Sequence, residues 1–272
     1  MPVGHYENFP VASRLLPRKF RRPVEAIYRY ARSADDIADE GDASPVERLA
    51  HLARYSAELD RIERGGSPET EPFASLARAI RAHALPIQPL RDLLDAFAQD
   101  VVKKRYRDRA ELLDYCRRSA NPVGRLLLHL YGAASAANLD RSDAVCTGLQ
   151  LANFWQDIGS DHARGRIYLP QADLERFGVT EAHIAAGRCD ERFRALLRHE
   201  IAHARALLLE GAPLARALPG RVSLELAMIV AGGLRILEKI ERAGCDVFRH
   251  RPRLGALDWP LMLFRALAAA LR

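Results

Sequence analysis

The chain has 272 residues and a formal net charge of +6, and hydrophobic residues make up 49% of it. This length and apolar content suffice for a sizeable buried core, but no window approaches the roughly 18 successive apolar residues that a membrane-spanning helix requires. The basic charge is weak evidence for nucleic-acid binding, because only four of the 41 basic residues are lysines, which indicates a composition bias. We therefore expect no nucleic-acid partner.

Helix signals recur along the chain, whereas strand-like alternation is nearly absent. We expect Pro23 to open a helix that ends near Gly41, and Ser44 with Pro45 to open a second that runs to about Arg64. Residues 166–170 are expected to form an extended loop. The sequence predicts one all-α domain, residues 1–272, with its site inside a helical bundle. Apolar residues at helical spacing predict further helices over residues 90–104, 110–137, 143–161, 191–208 and 223–243.

Two acidic clusters place oxygen ligands four residues apart within predicted helices, so that each cluster lies on one helix face. Carboxylate and amide oxygens suit Mg²⁺, which takes one or two carboxylates and completes its coordination with water and phosphate oxygens. A solvated acidic face is the alternative for either cluster alone, but both follow apolar segments. We expect them to face a cavity and to hold a diphosphate through several Mg²⁺ ions. The clusters are Asp35, Asp36 and Asp39, and Asn153, Asp157 and Asp161.

These two segments also carry a family resemblance. Residues 31–42, ARSADDIADEGD, and residues 150–170, QLANFWQDIGSDHARGRIYLP, resemble the two aspartate motifs of the squalene and phytoene synthase family of head-to-head prenyl transferases. Family-like segments extend from His5 to about Leu254. The resemblance implies an isoprenoid synthase-type helical bundle with a central active-site cavity. It also implies a Mg²⁺-dependent enzyme with these metal ligands: Asp35, Asp39, Asn153, Asp157 and Asp161.

Within the family, residues 7–13, ENFPVAS, and residues 119–125, SANPVGR, are most similar to the branch that forms hydroxysqualene in bacterial hopanoid biosynthesis. The implied reaction ionises presqualene diphosphate, a C30 substrate, rearranges the cation and captures it with water, so no NADPH is expected. A presqualene diphosphate synthase would act before this enzyme, and a flavin-dependent reductase after it. The alternatives are a presqualene diphosphate synthase, a complete squalene or phytoene synthase, and a non-catalytic scaffold.

The resemblance also suggests roles for residues outside the metal set. Tyr115 is expected to stabilise the cation or guide a proton, with a core tyrosine as the alternative, and Asn121 to position the water. Asp36 is a near neighbour of the metal ligands, and Gln150, one turn before Asn153, is expected to orient substrate or water. Three further residues are expected to contact the diphosphate: His5, Arg32 and Arg251. For Arg32, a surface ion pair with Asp36 or Asp39 is the alternative.

Two positions depart from the family pattern. Gln156 stands where an Arg commonly precedes the first Asp of the second motif, and Gly233 stands where a Tyr is expected. Loss of the Arg should weaken diphosphate binding at one point. Loss of the Tyr is expected to leave space near the reacting carbons. Both changes are compatible with an enzyme that carries out only part of the squalene synthase reaction.

The expected location is the cytoplasm, because the four cysteines are isolated and the N-terminal segment has no signal-peptide pattern. The apolar residues 259–271 allow two interpretations. They form either a last helix packed on the bundle or a segment that rests on the inner face of the cytoplasmic membrane.

Overall fold

The computed structural model describes residues 16–270, except for the side chains of the last two, and within this range it contains helices and no strand. The prediction of an all-α fold is confirmed. His5 lies outside the described residues. The helices are α1 Arg18–Asp39, α2 Pro45–Glu63, α3 Phe73–His83, α4 Gln88–Val102, α5 Arg109–Ser119, α6 Asn121–Tyr131, α7 Ala136–Ala163, α8 Gln171–Phe177, α9 Glu181–Ala185, α10 Glu191–Gly211, α11 Leu214–Ala217, α12 Gly220–Arg242 and α13 Asp258–Ala270.

The first two helices show which boundaries local chemistry fixes. Ser44 caps α2: its hydroxyl oxygen accepts from the Glu47 amide at 3.3 Å, and the Glu47 carboxylate accepts from the Ser44 amide at 2.8 Å. In α1, Pro23 lies inside the helix, which begins five residues earlier than predicted. As the sixth residue of α1, Pro23 cannot donate a hydrogen bond to the preceding turn, and the helix continues past this one missing bond.

One predicted helix is in fact two. The segment 110–137 divides into α5 and α6 at Ala120, immediately before Asn121 and Pro122. A residue two positions before a proline can still be helical, but the proline restricts its predecessor and donates no hydrogen bond, which favours a new helix start. Gly132 then ends α6 with a φ of 68°, which glycine adopts without steric cost.

The long helix α7 is central to the core. It packs against α6, α10 and α12, and its Trp155 side chain is completely buried. A second apolar cluster joins α1 to α2, α3 and α4, and there the buried Tyr30 hydroxyl donates to the Leu90 carbonyl oxygen at 3.0 Å. The two helices that carry the acidic clusters, α1 and α7, are therefore each held by their own set of neighbours.

The loop that follows α7 is attached to the segment after α4 by main-chain hydrogen bonds. Ile167 N–H donates to the Lys104 carbonyl at 3.0 Å, and Gln171 N–H donates to that of Tyr106 at 2.9 Å. Residues 166–170 have no helical or strand structure, which confirms the predicted extended loop. This attachment brings the end of α7 next to the end of α4.

The last helix, α13, packs against α12 through ion pairs. Asp258 bonds to Arg235 and Lys239 at 2.6 Å each, and Arg265 bonds to Glu238 at 2.6 Å. The interpretation of residues 259–271 as a final helix on the bundle is confirmed up to residue 270. Its outward face remains apolar and exposed.

We predict that Gly148→Ala destabilises the protein. A Cβ there would lie 2.8 Å from Leu208 Cγ and 3.1 Å from the Ala204 carbonyl oxygen, so α7 and α10 would have to separate. Overpacking of this kind lowers the free energy of unfolding by about 1–3 kcal/mol, which urea denaturation would measure. Gly159→Ala, on the same helix, is the control because its Cβ would meet Phe248 at an ordinary 3.6 Å. An unchanged or raised stability of Gly148→Ala would contradict the close packing.

Candidate active site

The first aspartate motif occupies the last turns of α1, which ends at Asp39. Arg32, one turn before Asp35, bonds to Asp35 at 3.1 Å, to Asp36 at 2.7 Å and to Glu40 at 3.0 Å. The alternative interpretation of Arg32 as a surface ion-pair partner therefore holds for Asp36, while its expected partner Asp39 bonds elsewhere. The Arg32 guanidinium is half-exposed among these carboxylates, so it also remains available to an anionic ligand.

The second motif occupies the last turns of α7. The Asp157 carboxylate forms a bidentate pair with Arg251, in which Nη2 lies 2.9 Å from Oδ2. Asp161 is half-buried one turn later, and α7 ends at Ala163. The family resemblance alone suggested that Arg251 contacts the diphosphate. In the structure, Arg251 pairs with Asp157, one of the predicted metal ligands. Its diphosphate role stays a prediction.

Arg166 connects the two motifs. It follows the end of α7 and reaches across to Asp39, 127 residues away in sequence, with Nη1 2.8 Å from Oδ2 and Nη2 on Oδ1. Asp161 lies close enough to Asp39 for the charge of Asp39 to help raise the pKa of Asp161. The two acidic clusters therefore converge, as expected for a shared site.

The carboxylates of this site carry unfavourable negative charge. Burial and the neighbouring charge of Asp39 raise the pKa of Asp35 to about 6, and burial and Asp157 raise that of Asp161 to about 7. Burial would also raise the pKa of Asp39, but the hydrogen bond and charge of Arg166 outweigh it and lower that pKa. Both motifs lie at helix C-termini, where the helix dipole further disfavours anions. The donor set therefore fits bound cations such as Mg²⁺.

Asn153 and Gln150 lie on α7 before Asp157. Asn153 is exposed one turn before Asp157, and Gln150 is half-buried one turn earlier. Gln156 is buried, and its amide donates to the Pro252 carbonyl oxygen. Gln156 therefore anchors the loop that carries Arg251. Gln156, which replaces the usual arginine, thus helps to hold Arg251 in place through Pro252. The sequence did not predict this contact.

The aromatic residues beside the motifs form a compact wall. Phe154 stacks on Tyr168 with 3.7 Å between ring centroids, and the Tyr115 ring lies 6.0 Å from Tyr168 and 6.2 Å from Phe154. Phe154 and Tyr168 line a small cleft, with room for about one water molecule, that Asp161 and Arg166 also line. The cleft thus has a charged side and an aromatic side. Apolar residues complete its lining: Ile158, Ile167 and Leu169.

Tyr115 and Asn121 are both buried and both hydrogen bonded. The Tyr115 hydroxyl donates to Asp100 Oδ2 at 2.7 Å, and the Thr147 hydroxyl donates to Asn121 Oδ1 at 2.9 Å. Asn121 therefore joins α6 to α7 through the oxygen that would have to accept from a water molecule. The predicted water-positioning role of Asn121 is untested, and this bond argues for a packing role.

Three site residues escaped the sequence interpretation: Asp100, Lys104 and Arg166. Asp100 lies near the end of α4 and is buried. Lys104 follows that helix, and its ammonium group donates to the Asp100 carbonyl oxygen. A carboxylate within the apolar helix 90–104 was the one available signal for Asp100. Arg166 lay within the matched second motif, but its partner could not be read from sequence.

The expectation of space at Gly233 is wrong. A Cβ at this position would lie 2.7 Å from Leu149 Cδ2 and 3.1 Å from Leu208 Cδ1. Leu149 on α7 and Leu208 on α10 therefore fill the volume that a tyrosine would need. The substitution allows α12 to pack closely and does not open the site.

A second cluster of metal-ligand type involves other helices. Asp173 on α8 and His199 and Glu200 on α10 have ligand atoms within 4.8 Å of one another. Arg109 Nη2 lies 3.2 Å from carboxylate oxygens of both Asp173 and Glu200. Because the guanidinium already supplies the positive charge there, we interpret this cluster as a structural ion network.

A helical bundle with two converging aspartate motifs and adjoining arginines is the arrangement of an isoprenoid synthase. The chain belongs to the squalene/phytoene synthase family of enzymes, whose model matches residues 3–258. It is 36% identical to the hydroxysqualene synthase of Sinorhizobium fredii, over 93% of this chain and 85% of that one.

Two further comparisons bear on the fold and on the reaction. The crystal structure of squalene synthase HpnC from Alicyclobacillus acidocaldarius superposes with a TM-score of 0.83 at 40% identity, covering 89% of this chain and 90% of that one. The phytoene synthase of Thermus thermophilus is 32% identical over 98% of this chain and 90% of that one. The resemblance stated from sequence is confirmed at the level of the family. Hydroxysqualene synthases and phytoene synthases are both similar to this chain.

We predict that Asp161→Asn lowers turnover of the prenyl diphosphate substrate by about 10²-fold or more, because it removes a ligand of the proposed metals. The metal-free variant should melt at the same temperature or higher, since a repelled carboxylate is gone. In differential scanning fluorimetry, Mg²⁺ with inorganic diphosphate should raise the melting temperature of the wild type and raise that of the variant much less.

Asp140→Asn is the matched control, because Asp140 is exposed on the same helix. The metal-site assignment would be refuted by an Asp161→Asn enzyme that keeps full activity, or by one whose stabilisation by Mg²⁺ and diphosphate equals that of the wild type.

Proposed function

We propose that the protein is a hydroxysqualene synthase, which converts presqualene diphosphate and water to hydroxysqualene and diphosphate with the help of Mg²⁺. The observation that carries the proposal is the convergence of the Asp35–Asp39 and Asp157–Asp161 pairs on either side of Arg166. The similarity to hydroxysqualene synthases over most of the chain supports this reaction within the family.

Four aspartates and Asn153 would hold the metals. When bound, Mg²⁺ supplies neutralisation of the charge that develops on the departing diphosphate. The ligand set is Asp35, Asp39, Asn153, Asp157 and Asp161, with Asp36 adjacent.

Three arginines would bind the diphosphate by exchanging partners. Arg32, Arg166 and Arg251 each pair with a carboxylate of a motif. Cations at the metal positions would compete for those carboxylates, and guanidinium groups bind phosphate oxygens in the same bidentate way. The arginines therefore offset part of the negative charge before substrate binds and can then contact the leaving group. Gln150 and His5 are further proposed substrate contacts.

The aromatic wall suits the next step. After ionisation the C30 cation must rearrange without meeting bulk water, and the faces of aromatic rings attract cations. Phe154 and Tyr168 lie next to Asp161 and Arg166 in the same cleft. The proposed carbocation would therefore form beside rings that can stabilise it, with Tyr115 packed behind them.

A different reaction of the same family is the main alternative. A presqualene diphosphate synthase or a complete squalene or phytoene synthase would use the same metal chemistry, and phytoene synthases are also similar to this chain. A catalytically silent scaffold is less well supported, because it would have no need for four mutually repelling carboxylates. A flavin-dependent reductase is the proposed consumer of the product, and a presqualene diphosphate synthase the proposed supplier.

The test is product analysis. Purified protein is incubated with Mg²⁺ and either presqualene diphosphate or farnesyl diphosphate, without NADPH, and the extracted products are identified by mass spectrometry. We expect hydroxysqualene from presqualene diphosphate alone. Accumulation of presqualene diphosphate from farnesyl diphosphate would assign the preceding step, and turnover of neither substrate would favour the scaffold.

The outward face of α13 suggests where the enzyme meets its apolar substrate. None of the helices in the described range is long and apolar enough to span a bilayer. Yet the exposed surface of α13 and the residue before it is apolar, with Leu257 92% and Phe264 70% exposed. Exposed arginines, Arg249 and Arg253, precede this face. We propose that α13 rests on the anionic inner surface of the cytoplasmic membrane. The other exposed members are Trp259, Leu263 and Leu267.

Sedimentation with vesicles that contain phosphatidylglycerol tests this contact. We expect the wild type to bind, and Leu263→Ser with Phe264→Ser to reduce binding by about tenfold, since apolar area drives insertion. Val46→Ser is the control, because Val46 is an even more exposed apolar residue and lies on α2, away from this face. Absence of vesicle binding together with a dimer in analytical ultracentrifugation would instead assign the face to a second copy of the chain.

A further inference from the structure

Asp100, in the last turn of α4, has a carboxyl group in an unusual state. The residue is only 7% exposed, and its Oδ2 accepts a hydrogen bond from the Tyr115 hydroxyl at 2.7 Å. Its Oδ1 is buried too, but it has no hydrogen-bond partner among the described residues. Buried polar atoms are nearly always paired, so an unpaired carboxylate oxygen indicates a site for a hydrogen-bond donor.

Charged and titratable groups from several segments surround Asp100 and affect its pKa. Burial raises the pKa of Asp100 to about 7; the Tyr115 hydrogen bond and the charge of Arg166 lower it, and the charges of Asp39 and Asp35 raise it. The hydroxyl groups of Tyr106 and Tyr168 are within electrostatic reach, and Lys104 donates to the main chain of Asp100. Asp100 can therefore change its protonation state near neutral pH.

Asp100 also lies beside the proposed reaction cleft. Arg166 and Tyr168 line that cleft, and both interact electrostatically with Asp100. Tyr115, which holds Asp100 Oδ2, packs against Tyr168 and Phe154, the two aromatic residues of the cleft. Asp100 thus lies next to the aromatic residues of the cleft and is connected to them through Tyr115.

The proposed reaction needs a proton acceptor at this point. When water captures the C30 cation, a C–O bond forms, one O–H bond of the water breaks, and a proton must leave. Arginine and lysine side chains cannot accept it, and the Asn121 oxygen already accepts from Thr147. A carboxylate oxygen without a partner can both orient a water molecule and accept its proton.

We propose that Asp100 Oδ1 binds the water molecule that captures the cation and takes its proton, while Tyr115 fixes the carboxylate through Oδ2. The proposal rests on the proposed function, since it concerns the water-capture step. It gives Tyr115 a positioning role and assigns to Asp100 the role that the sequence suggested for Asn121.

The experiment compares wild type, Asp100→Asn, Tyr115→Phe and Asp95→Asn with presqualene diphosphate and Mg²⁺, across a range of pH. Released diphosphate reports ionisation, and hydroxysqualene as a share of the C30 products reports water capture. For Asp100→Asn we expect diphosphate release to continue while the hydroxysqualene share falls about tenfold or more. Asp95→Asn is the matched control, because Asp95 is exposed on the same helix.

The pH dependence separates a chemical role from a structural one. In the wild type the hydroxysqualene share should fall as pH drops and Asp100 becomes protonated, and Asp100→Asn should lose this dependence. The Tyr115 hydrogen bond stabilises the ionised Asp100 and lowers its pKa, so Tyr115→Phe should raise that pKa and move the pH dependence to higher pH.

Four outcomes decide between the proposal and its alternatives. An Asp100→Asn enzyme with an unchanged hydroxysqualene share overturns the proposal and leaves diphosphate as the proton acceptor. A reduced share with the wild-type pH dependence also overturns it, in favour of a packing role. If Asp100→Asn does not fold, as judged by circular dichroism, the direction of the Tyr115→Phe shift decides. A wild type that forms no hydroxysqualene overturns the proposed function itself.

Discussion

The structure around the site depends on one electrostatic constraint: negative charge is concentrated where two helices end. Asp39 is the last residue of α1 and Asp161 is in the last turn of α7, so the carbonyl ends of both helices face the carboxylates. Such an arrangement is unfavourable without cations. Arg166 supplies one positive charge at the point where the motifs meet, and the main-chain bonds of its loop to the segment after α4 hold it there.

The arginines that pair with the motif carboxylates can exchange these partners for phosphate oxygens. Arg32 and Arg251 are partly exposed, and ion pairs of this kind contribute only about 0–1 kcal/mol because water competes for both partners. Exchange of a carboxylate for a phosphate therefore costs little. Arg166 is more enclosed, so of the three arginines it would exchange its carboxylate partner least readily.

The sequence predicted what depends on local spacing. The four-residue separation in each aspartate motif placed the carboxylates on one face, and the Ser44 cap placed the start of α2. Contacts between distant segments could not be predicted this way, because spacing carries no information about which loop folds onto which helix. The bond from Arg166 to Asp39 is one example. Gly233 is another, since only the packing of Leu149 and Leu208 shows that its missing side chain leaves no space.

The proposed chemistry requires two environments that conflict. Ionisation needs a strongly polar end that binds diphosphate, whereas the cation survives only where nucleophiles and bulk water are excluded. The small cleft marks where these two environments meet, because Asp161 and Arg166 occupy one side and the stacked Phe154 and Tyr168 the other. The buried carboxylate of Asp100, held by Tyr115 next to these rings, would then let one water molecule react while bulk water stays excluded. If relatives that end the reaction differently share the polar end, their products must be decided on this aromatic side.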